Sequence, residues 1–538
     1  MVRRATRASK PQTQVSRAVS IPAPTGGWDA QSALADMPPE NAVILDNFIP
    51  RPTCIELRRG SAPQVTGFPT SVQSLLVWRG SASGDKLLAC AAGSIYDVTS
   101  NGAALAAPIY SAATVATWKY VNFANDAGTW AIAVNGADTP IKYDGATVTT
   151  TAITGTSGPI TLDPTTLFDV TAHKQFLHFA QKNSLFVWFL AVNAIAGPAG
   201  LLDLGPVFTK GGQLACMATW SFNTGQTLDD FIAYVTTQGQ VAIYQGTDPS
   251  DATRWSLVGV YDIGFPLSSR ALVKYGSELC ILTTNGVVPL SQALKLDRSQ
   301  DDTVALTQRI QGAFQSAVQA YGGNFGWEGI LYQKGALAIF NVPAQPSVQY
   351  VQNMQNGSWC RFTGLDALCW GVANDAIYFG TADGVYQWDI GPDDIGNPIT
   401  ADLKGAFSAY GNRPGQKRFQ MMRALLYCPG FVQPALEMDV DYKESVPTAM
   451  PTVADSSAVA PVTRYDWASV SGIGYVGAPR LRITLTSNAT TFLAVDSADT
   501  DTIVTGDGFD IVTDDPLPFS VPVQLTGFDV MLQPGGLL

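Results

Sequence analysis

From about residue 70 to residue 400, short apolar runs alternate with turns bearing Gly, Asn or Asp. Residues 86–92 lead into Gly93-Ser94-Ile95-Tyr96-Asp97-Val98 and the turn Ser100-Asn101-Gly102. Residues 130–134 meet Asn135-Gly136, 231–236 meet Gln238-Gly239, 279–283 meet Asn285-Gly286, and 376–380 meet Asp383-Gly384. The recurring unit is an apolar strand, a two-residue turn ending in Gly, and a second strand that usually carries an aromatic. Asn-Gly and Asp-Gly suit hairpins because both central residues take positive φ. Two neighbouring pairs of these turns lie about 35 and about 47 residues apart, near the blade period of a β-propeller. The other two gaps are about twice as long, so each must hold a blade without such a turn. The pattern predicts an all-β chain with a propeller body over 26–405; an array of β-sandwiches is the alternative.

One stretch changes period. After Asp301-Asp302-Thr303, the residues Leu306, Ile310, Phe314, Ala317, Val318 and Tyr321 recur at spacings of three and four. This predicts an inserted amphipathic helix over about 302–321, capped by Asp302 or Thr303, ended by Gly322-Gly323 and packed on the propeller. Beyond about 405 the Gly-ended turns give way to longer strand-like runs at 418–428, 435–442, 480–486 and 521–532. Residues 406–538 are therefore expected to form a C-terminal β-sandwich-like domain. Residues 1–25 open with Pro, Ser, Thr and Arg and show no hydrophobic period, which predicts an arm, either solvated or ordered on a partner.

Composition sharpens this picture. Charged residues make up 14% of 538 residues and hydrophobic ones 46%, against about 25% charged in an average soluble chain. Strands buried on both faces between neighbouring blades account for so few charges. The net charge is −12, and residues 434–538 hold fourteen Asp and Glu against four Lys and Arg, nearly the whole surplus. Asp496, Asp499, Asp501, Asp507, Asp510, Asp514 and Asp515 cluster there with no base between them. A self-repelling solvated loop, a cation site without EF-hand spacing, and an acidic wall facing a duct or partner are the three readings. Such a chain is a poor candidate for gripping nucleic acid through its phosphates.

Candidate chemistry is sparse. Seven cysteines form no CxxC pair and sit mostly in apolar runs, so buried reduced thiols are expected, consistent with folding in a reducing cytoplasm. The stretch 185–202 contains Asn193 and Gly197-Pro198, which favours a buried strand and an apolar loop over a stable membrane span; the cluster Phe186, Trp188 and Phe189 leaves a membrane-touching loop open. The two histidines, His173 and His178, are five residues apart and on one strand would face opposite sides, poor geometry for a metal or for acid–base work. No HExxH, GxSxG or phosphate-cradling GxxxxGK[ST] motif is present. Glu278 and Glu328 are candidates for a catalytic carboxylate pair, each read more simply as a surface residue. The expectation is a non-enzyme with no cofactor and no metal.

Several segments together carry a resemblance. They are Gly26-Gly27-Trp28-Asp29, the run from Asn41-Ala42-Val43 to Phe48-Ile49-Pro50, Ile55-Glu56-Leu57-Arg58-Arg59-Gly60 and Gly211-Gly212-Gln213. Farther on come Tyr244-Gln245-Gly246-Thr247-Asp248-Pro249, Trp255-Ser256-Leu257-Val258-Gly259-Val260-Tyr261 and Thr284-Asn285-Gly286-Val287-Val288-Pro289-Leu290-Ser291. Over roughly residues 25–440 the chain resembles the tail nozzle, tail accessory or packaged-DNA stabilisation proteins of short-tailed bacteriophages (podoviruses). That resemblance implies a propeller subunit in a homo-hexameric ring below portal and adaptor, placed in the virion tail and assembled in the host cytoplasm. The ring retains packaged double-stranded DNA and lets it pass without sequence preference. Its implied partners are the adaptor and the tail fibre, spike or needle proteins. Beside it stand three further expectations. Arg3, Arg4, Arg7, Lys10 and Arg17 form an adaptor-docking arm, the seven-aspartate segment faces the duct or a partner, and Arg58 and Arg59 make intersubunit ion pairs. The rival reading is a propeller enzyme or lectin acting on surface polysaccharide.

Overall fold

The computed structural model describes residues 15–80, 84–102, 104–223, 228–293, 305–427, 432–451, 453–455, 464–485, 503–504, 510–511 and 523–534. The chain divides into two units. One is residues 59–397, and the other is built from 1–58 together with 398–538.

In the first unit, seven groups of antiparallel strands follow one another among the described residues, six of them simple meanders. Blade 1 comprises Ser74–Arg79, Asp85–Ala91 and Ser94–Asp97, with a further bridge from Ile95 to Tyr110. Blade 2 is Lys119–Asn125, Gly128–Val134, Ile141–Tyr143 and Val148–Thr150; blade 3 is Leu167–His173, Phe176–Gln181, Phe186–Phe189 and Gly200–Asp203. Blade 4 holds Leu214–Asn223, Leu228–Thr236, Gln240–Gly246 and Trp255–Asp262, and blade 5 holds Leu272–Tyr275, Glu278–Thr283 and Gly286–Pro289. Blade 6 is Glu328–Tyr332, Leu337–Val342, Val348–Asn353 and Trp359–Phe362. Blade 7 uses Cys369–Ala373, Ala376–Gly380 and Gly384–Trp388, and its fourth strand is Ser61–Thr66 from the start of the unit.

The first strands of successive blades touch in order, and that of blade 7 touches that of blade 1. The unit is therefore a closed seven-bladed β-propeller, clasped by pairing its first strand into its last blade. Apolar layers fill the gaps between blades. Leu76, Ile95, Trp118 and Ile141 lie between blades 1 and 2. Ile132, Leu177 and Trp188 lie between blades 2 and 3, and Leu214, Ile232, Tyr234 and Trp255 between blades 3 and 4. At Gly329 an added Cβ would come 2.4 Å from Val273, so blades 5 and 6 meet there on bare backbone.

The two long gaps between the Gly-ended turns hold blades 3 and 6, and blade 6 carries one such turn late, Asn356-Gly357 (φ 70°), before its fourth strand. The first hairpin of blade 3 turns through Lys174 (φ 46°) and Gln175 (φ 65°), and that of blade 6 ends on Ala336 (φ 54°). Both make left-handed turns with residues that do not advertise them.

The expected helix is present as a 3₁₀ turn, Leu306–Ile310, running into an α-helix, Gln311–Tyr321; Asp302 and Thr303 lie outside the described residues. It covers the outer edge of blade 5. Gln311 Nε2 donates to the Asn285 carbonyl at 2.7 Å, and Thr307 Oγ1 accepts from Val287 N at 3.3 Å. Phe314 is fully buried against Trp327 and Tyr350. Covering an edge strand removes a site for unwanted pairing. The fit is close, because a Cβ on Gly286 would meet Thr307 Oγ1 at 2.3 Å.

In the second unit, Phe48–Pro50, Ile55–Leu57, Gln524–Pro534, Lys417–Tyr427 and Ala468–Gly474 form one antiparallel sheet, to whose strand Gln524–Pro534 Arg17–Pro22 also pairs. Asn41–Asp46, Ile399–Gly405, Gly477–Leu485 and Pro434–Val440 pair in the second sheet. Phe419, Met438 and Val440 interleave between the two at Gly472 and Gly477. The sandwich-like fold is as expected, but its boundaries are not. The sequence placed the breaks at 25/26 and 405/406, whereas the units break at 58/59 and 397/398. Residues 26–58 belong with the C-terminal strands because the partners they pair with lie several hundred positions away.

This second unit carries a buried ionic centre. Lys404, 2% exposed, places Nζ 2.9 Å from Asp439 Oδ2. Arg480 grips Asp402 with Nε and Nη2, both at 3.1 Å, and Arg482 Nη2 reaches the same carboxylate at 2.6 Å. Burial works against the Asp402 charge, but the bonds from Arg480 and Arg482 outweigh it and hold the carboxyl below its usual range.

Candidate functional site at the axial mouth of the propeller

The first strand of each blade begins at one end of the propeller axis, and polar side chains collect there. Arg270, just before the first strand of blade 5, reaches across the axis. Its Nη2 donates to the Gln73 carbonyl at 3.0 Å and to Ser74 Oγ at 2.5 Å in blade 1, and to the Trp118 carbonyl at 3.4 Å before blade 2. Ser74 Oγ in turn accepts from Trp118 N at 2.8 Å. Arg270 Nη1 lies 3.5 Å from Glu328 Oε2 in blade 6, and that oxygen accepts from Trp370 N in blade 7 at 3.3 Å. On the other side, Lys119 Nζ of blade 2 lies 3.9 Å from Asp169 Oδ1 of blade 3. Asp169 Oδ2 accepts from Met217 N of blade 4 at 2.9 Å. Burial pushes the Asp169 carboxyl up, opposed by Lys119 and by the two backbone donors. The two charged clusters together touch all seven blades, and the guanidinium of Arg270 lies across the bore.

Above this network is a cavity of about 130 Å³, lined by Thr117, Trp118, Lys119, Asn135, Phe168, Ser268, Ser269, Arg270, Phe325, Gly326 and Trp327. The Arg270 guanidinium also sits 5.5 Å from the Phe325 ring centre. Glu328, named from sequence as a possible catalytic carboxylate, is thus an axial ion-pair partner. Glu278 accepts from Leu279 N and Ser291 N at 3.0 Å each, beside the Ser291 hydroxyl. Both are engaged within the propeller.

The histidines correct the sequence expectation. His173 and His178 do not lie on one strand but on the two arms of the blade 3 hairpin, where His178 pairs with Thr171. The tight turn between them returns both rings to the same face, with centroids 6.3 Å apart. They are buried with Trp255, Tyr234 and Phe189 between blades 3 and 4. His178 Nδ1 is 3.1 Å from Tyr234 Oη, and His173 Nε2 is 3.1 Å from the Gly246 carbonyl. Burial, aided by His173, holds the His178 imidazole down at about 3, so it stays neutral. The pair is a packing element of the blade interface.

Of the other residues singled out, Arg3, Arg4, Arg7 and Lys10 lie outside the described residues, while Arg17 is exposed at the head of a strand paired to Leu532. Asp496, Asp499, Asp501, Asp507, Asp514 and Asp515 also lie outside them, and Asp510 falls in the short strand Asp510–Ile511. Arg58 is 1% exposed and donates Nε to Asn47 Oδ1 at 2.7 Å. Its guanidinium is enclosed by its own chain, so the intersubunit ion pair expected of it is replaced by an internal bond. Arg59 is half-buried and its carbonyl accepts from Trp388 Nε1 at 3.1 Å. The six described cysteines are buried and form no disulfide with one another. Asp248, just before Pro249, forms a turn, accepting from Ser250 N at 2.9 Å. Among the described residues no helix is long and apolar enough to cross a membrane, and no group of His, Cys, Asp or Glu is placed to hold a metal. Sequence reasoning missed the axial network, whose members are spread over nearly 300 positions with no shared motif.

No family model matches the chain, and no curated protein does. Among solved structures it is similar to the β-propeller domain of Cps50 (Swd1) from Myceliophteria thermophila, at 12% identity over 61% of this chain and 99% of that one, with a TM-score of 0.37. It is also similar to BBS1N in complex with ARL6DN, at 15% identity, 40% of this chain and a TM-score of 0.28; there it spans 62% of the other chain.

Proposed function

We propose that this chain is a structural subunit of a short-tailed bacteriophage tail. In this reading six copies form a nozzle ring that extends the DNA conduit below portal and adaptor, retains packaged DNA and passes it during ejection. The observation that supports it is where the motifs of the resemblance fall. The segments from Gly26 to Arg58 build the sandwich unit, Gly211–Gln213 lead into the first strand of blade 4, and those from Tyr244 to Ser291 build the outer strands of blade 4 and the covered edge of blade 5. Most of them mark the scaffold and its outer rim. Arg270 lies across the bore, so a duct for a duplex has to be enclosed by several chains, as a ring would do. The acid surplus suits such a duct, since each Lys or Arg on a phosphate releases counterions and strengthens binding. A conduit wall without that grip lets the duplex move.

Negative-stain imaging and mass photometry of the purified full chain, alone and with the adaptor protein, test the reading. A six-fold ring in either sample is the expected result. A monomer in both, together with cleavage or retention of a surface polysaccharide, would overturn it in favour of a propeller enzyme or lectin.

A further inference from the structure

The axial cavity has a chemistry that the nozzle reading does not use. Two of its lining side chains are cations, Lys119 and Arg270, and none is a carboxylate. The carboxylates that face those cations, Asp169 and Glu328, stand behind them in the blades. Asp169 is 2% exposed and tied to Met217 N and Val170 N. At 3.9 Å the Lys119 ammonium is beyond hydrogen-bond reach of Asp169, and Arg270 spends Nη2 on its hydrogen bonds and Nη1 on Glu328 at 3.5 Å. The ammonium protons and the Arg270 Nε–H are therefore left as donors at the mouth. Phe168, Phe325 and Trp327 give the cavity aromatic surface, beside the polar Thr117, Asn135, Ser268 and Ser269. A volume of about 130 Å³ is close to that of an engineered cavity that takes up benzene. Two cations and three aromatic rings lining one cavity, with Arg270 over Phe325, describe a receptor for a compact apolar body with one acidic group.

We propose that the axial mouth of the propeller binds a small organic carboxylate. The carboxylate takes the Lys119 ammonium and the Nε–H of Arg270, and its apolar body sits against Phe168, Phe325 and Trp327. Inorganic anions lack the body and neutral ring compounds lack the charge, so both bind more weakly.

Isothermal titration of the full chain with benzoate, benzyl alcohol and inorganic phosphate tests this. Benzoate is expected to bind once per chain, at least tenfold more tightly than either of the others. Lys119→Met should weaken benzoate about tenfold or more by removing a charge-assisted donor. Because that change also strips Asp169 of its nearest cation, a second variant keeps the test sound. Ser269→Trp leaves the Lys119–Asp169 pair intact, starts from an exposed position on the cavity rim and should abolish binding by filling the mouth. No saturable benzoate binding, equal binding of benzyl alcohol, or unchanged affinity in Ser269→Trp would each overturn the proposal.

Discussion

The interface of propeller blades 3 and 4 and the core of the sandwich bury polar groups in opposite ways. The propeller's ion pairs Lys119 with Asp169 and Arg270 with Glu328 are kept to its axial mouth. Between propeller blades 3 and 4 the titratable groups are kept neutral: His173 and His178 lie among Trp255, Tyr234 and Phe189, and the buried thiol of Cys216 is pushed up to about 12 by burial, with Asp169 adding to the rise and Lys119 opposing it. The sandwich instead buries full charges and pairs them, as Lys404 with Asp439 and Arg480 with Asp402. A neutral buried group adds to packing and costs stability only when it must ionise. A buried ion pair is sensitive to loss of either member, because the survivor keeps its desolvation penalty. The low charge count of the whole chain therefore describes the propeller; the sandwich concentrates its charges and interlocks them.

The sharpest way to separate the units is Lys404→Met. It takes the 2.9 Å cation from buried Asp439 and leaves it Arg480 Nη1 at 3.8 Å and the Ser445 N–H. The cost is therefore expected at or below the low end of the roughly 3–5 kcal/mol for an uncompensated buried charge. Hydrogen exchange should show protection falling in Ile399–Gly405, Gly477–Leu485 and Pro434–Val440, while the blades keep theirs. Adding Asp439→Leu should recover much of the loss. Equal loss of protection in the blades would show that the contrast between the units is not real.

Acid should act in the other direction, on the propeller first. Both histidines of the chain are in blade 3. His178 is held at about 3 in the fold, against 6.5 for a free imidazole, so between those values the unfolded chain binds a proton that the folded chain refuses. Its contribution is complete above pH 6.5 and is lost as pH falls, at about 1.4 kcal/mol per pH unit, or about 2 kcal/mol by pH 5. The sandwich carboxylates held low, Asp402 and Asp529, respond only below their ordinary range near pH 4. Urea titrations at pH 7 and pH 5 should show this slope in the wild type and a shallower one in His178→Phe. The same slope in both would assign the pH response elsewhere.

Much of this was legible locally, and what was not shares a cause. The helix at Leu306–Tyr321 was readable because its apolar residues repeat at spacings of three and four within a single short segment. Blades 2, 4, 5 and 7 announced themselves through Gly-bearing hairpins. The clasp of Ser61–Thr66 onto Gly384–Trp388 and the pairing of Arg17–Pro22 with the C-terminal strand join residues more than 300 positions apart. Such pairings leave no local period, which is why the unit boundaries were misplaced. The same distance hid the axial mouth, where Ser74, Lys119, Arg270 and Glu328 meet only because seven first strands start at one end. The histidines were misjudged for a smaller reason: Lys174-Gln175 was not recognised as a turn, so one strand was imagined where there are two.

That turn supplies the finest test. Gln175 is exposed and held at φ 65°, a left-handed conformation that costs an ordinary residue about 1–2 kcal/mol. Glycine adopts it freely but loses about 0.5–1 kcal/mol more backbone entropy on folding. Gln175→Gly should therefore stabilise the propeller by about 0.5 kcal/mol, read as a higher urea midpoint with unchanged slope. Lys174 is left in place because its ammonium pairs with Asp230, and changing both would mix two effects. The gain should appear in the amides of Leu167–His173 and Phe176–Gln181 and be absent from the sandwich. A loss of stability would mean that the Gln175 side chain, and not the backbone, sets the turn, and that blade 3 carries a signal the Gly-ended hairpins do not share.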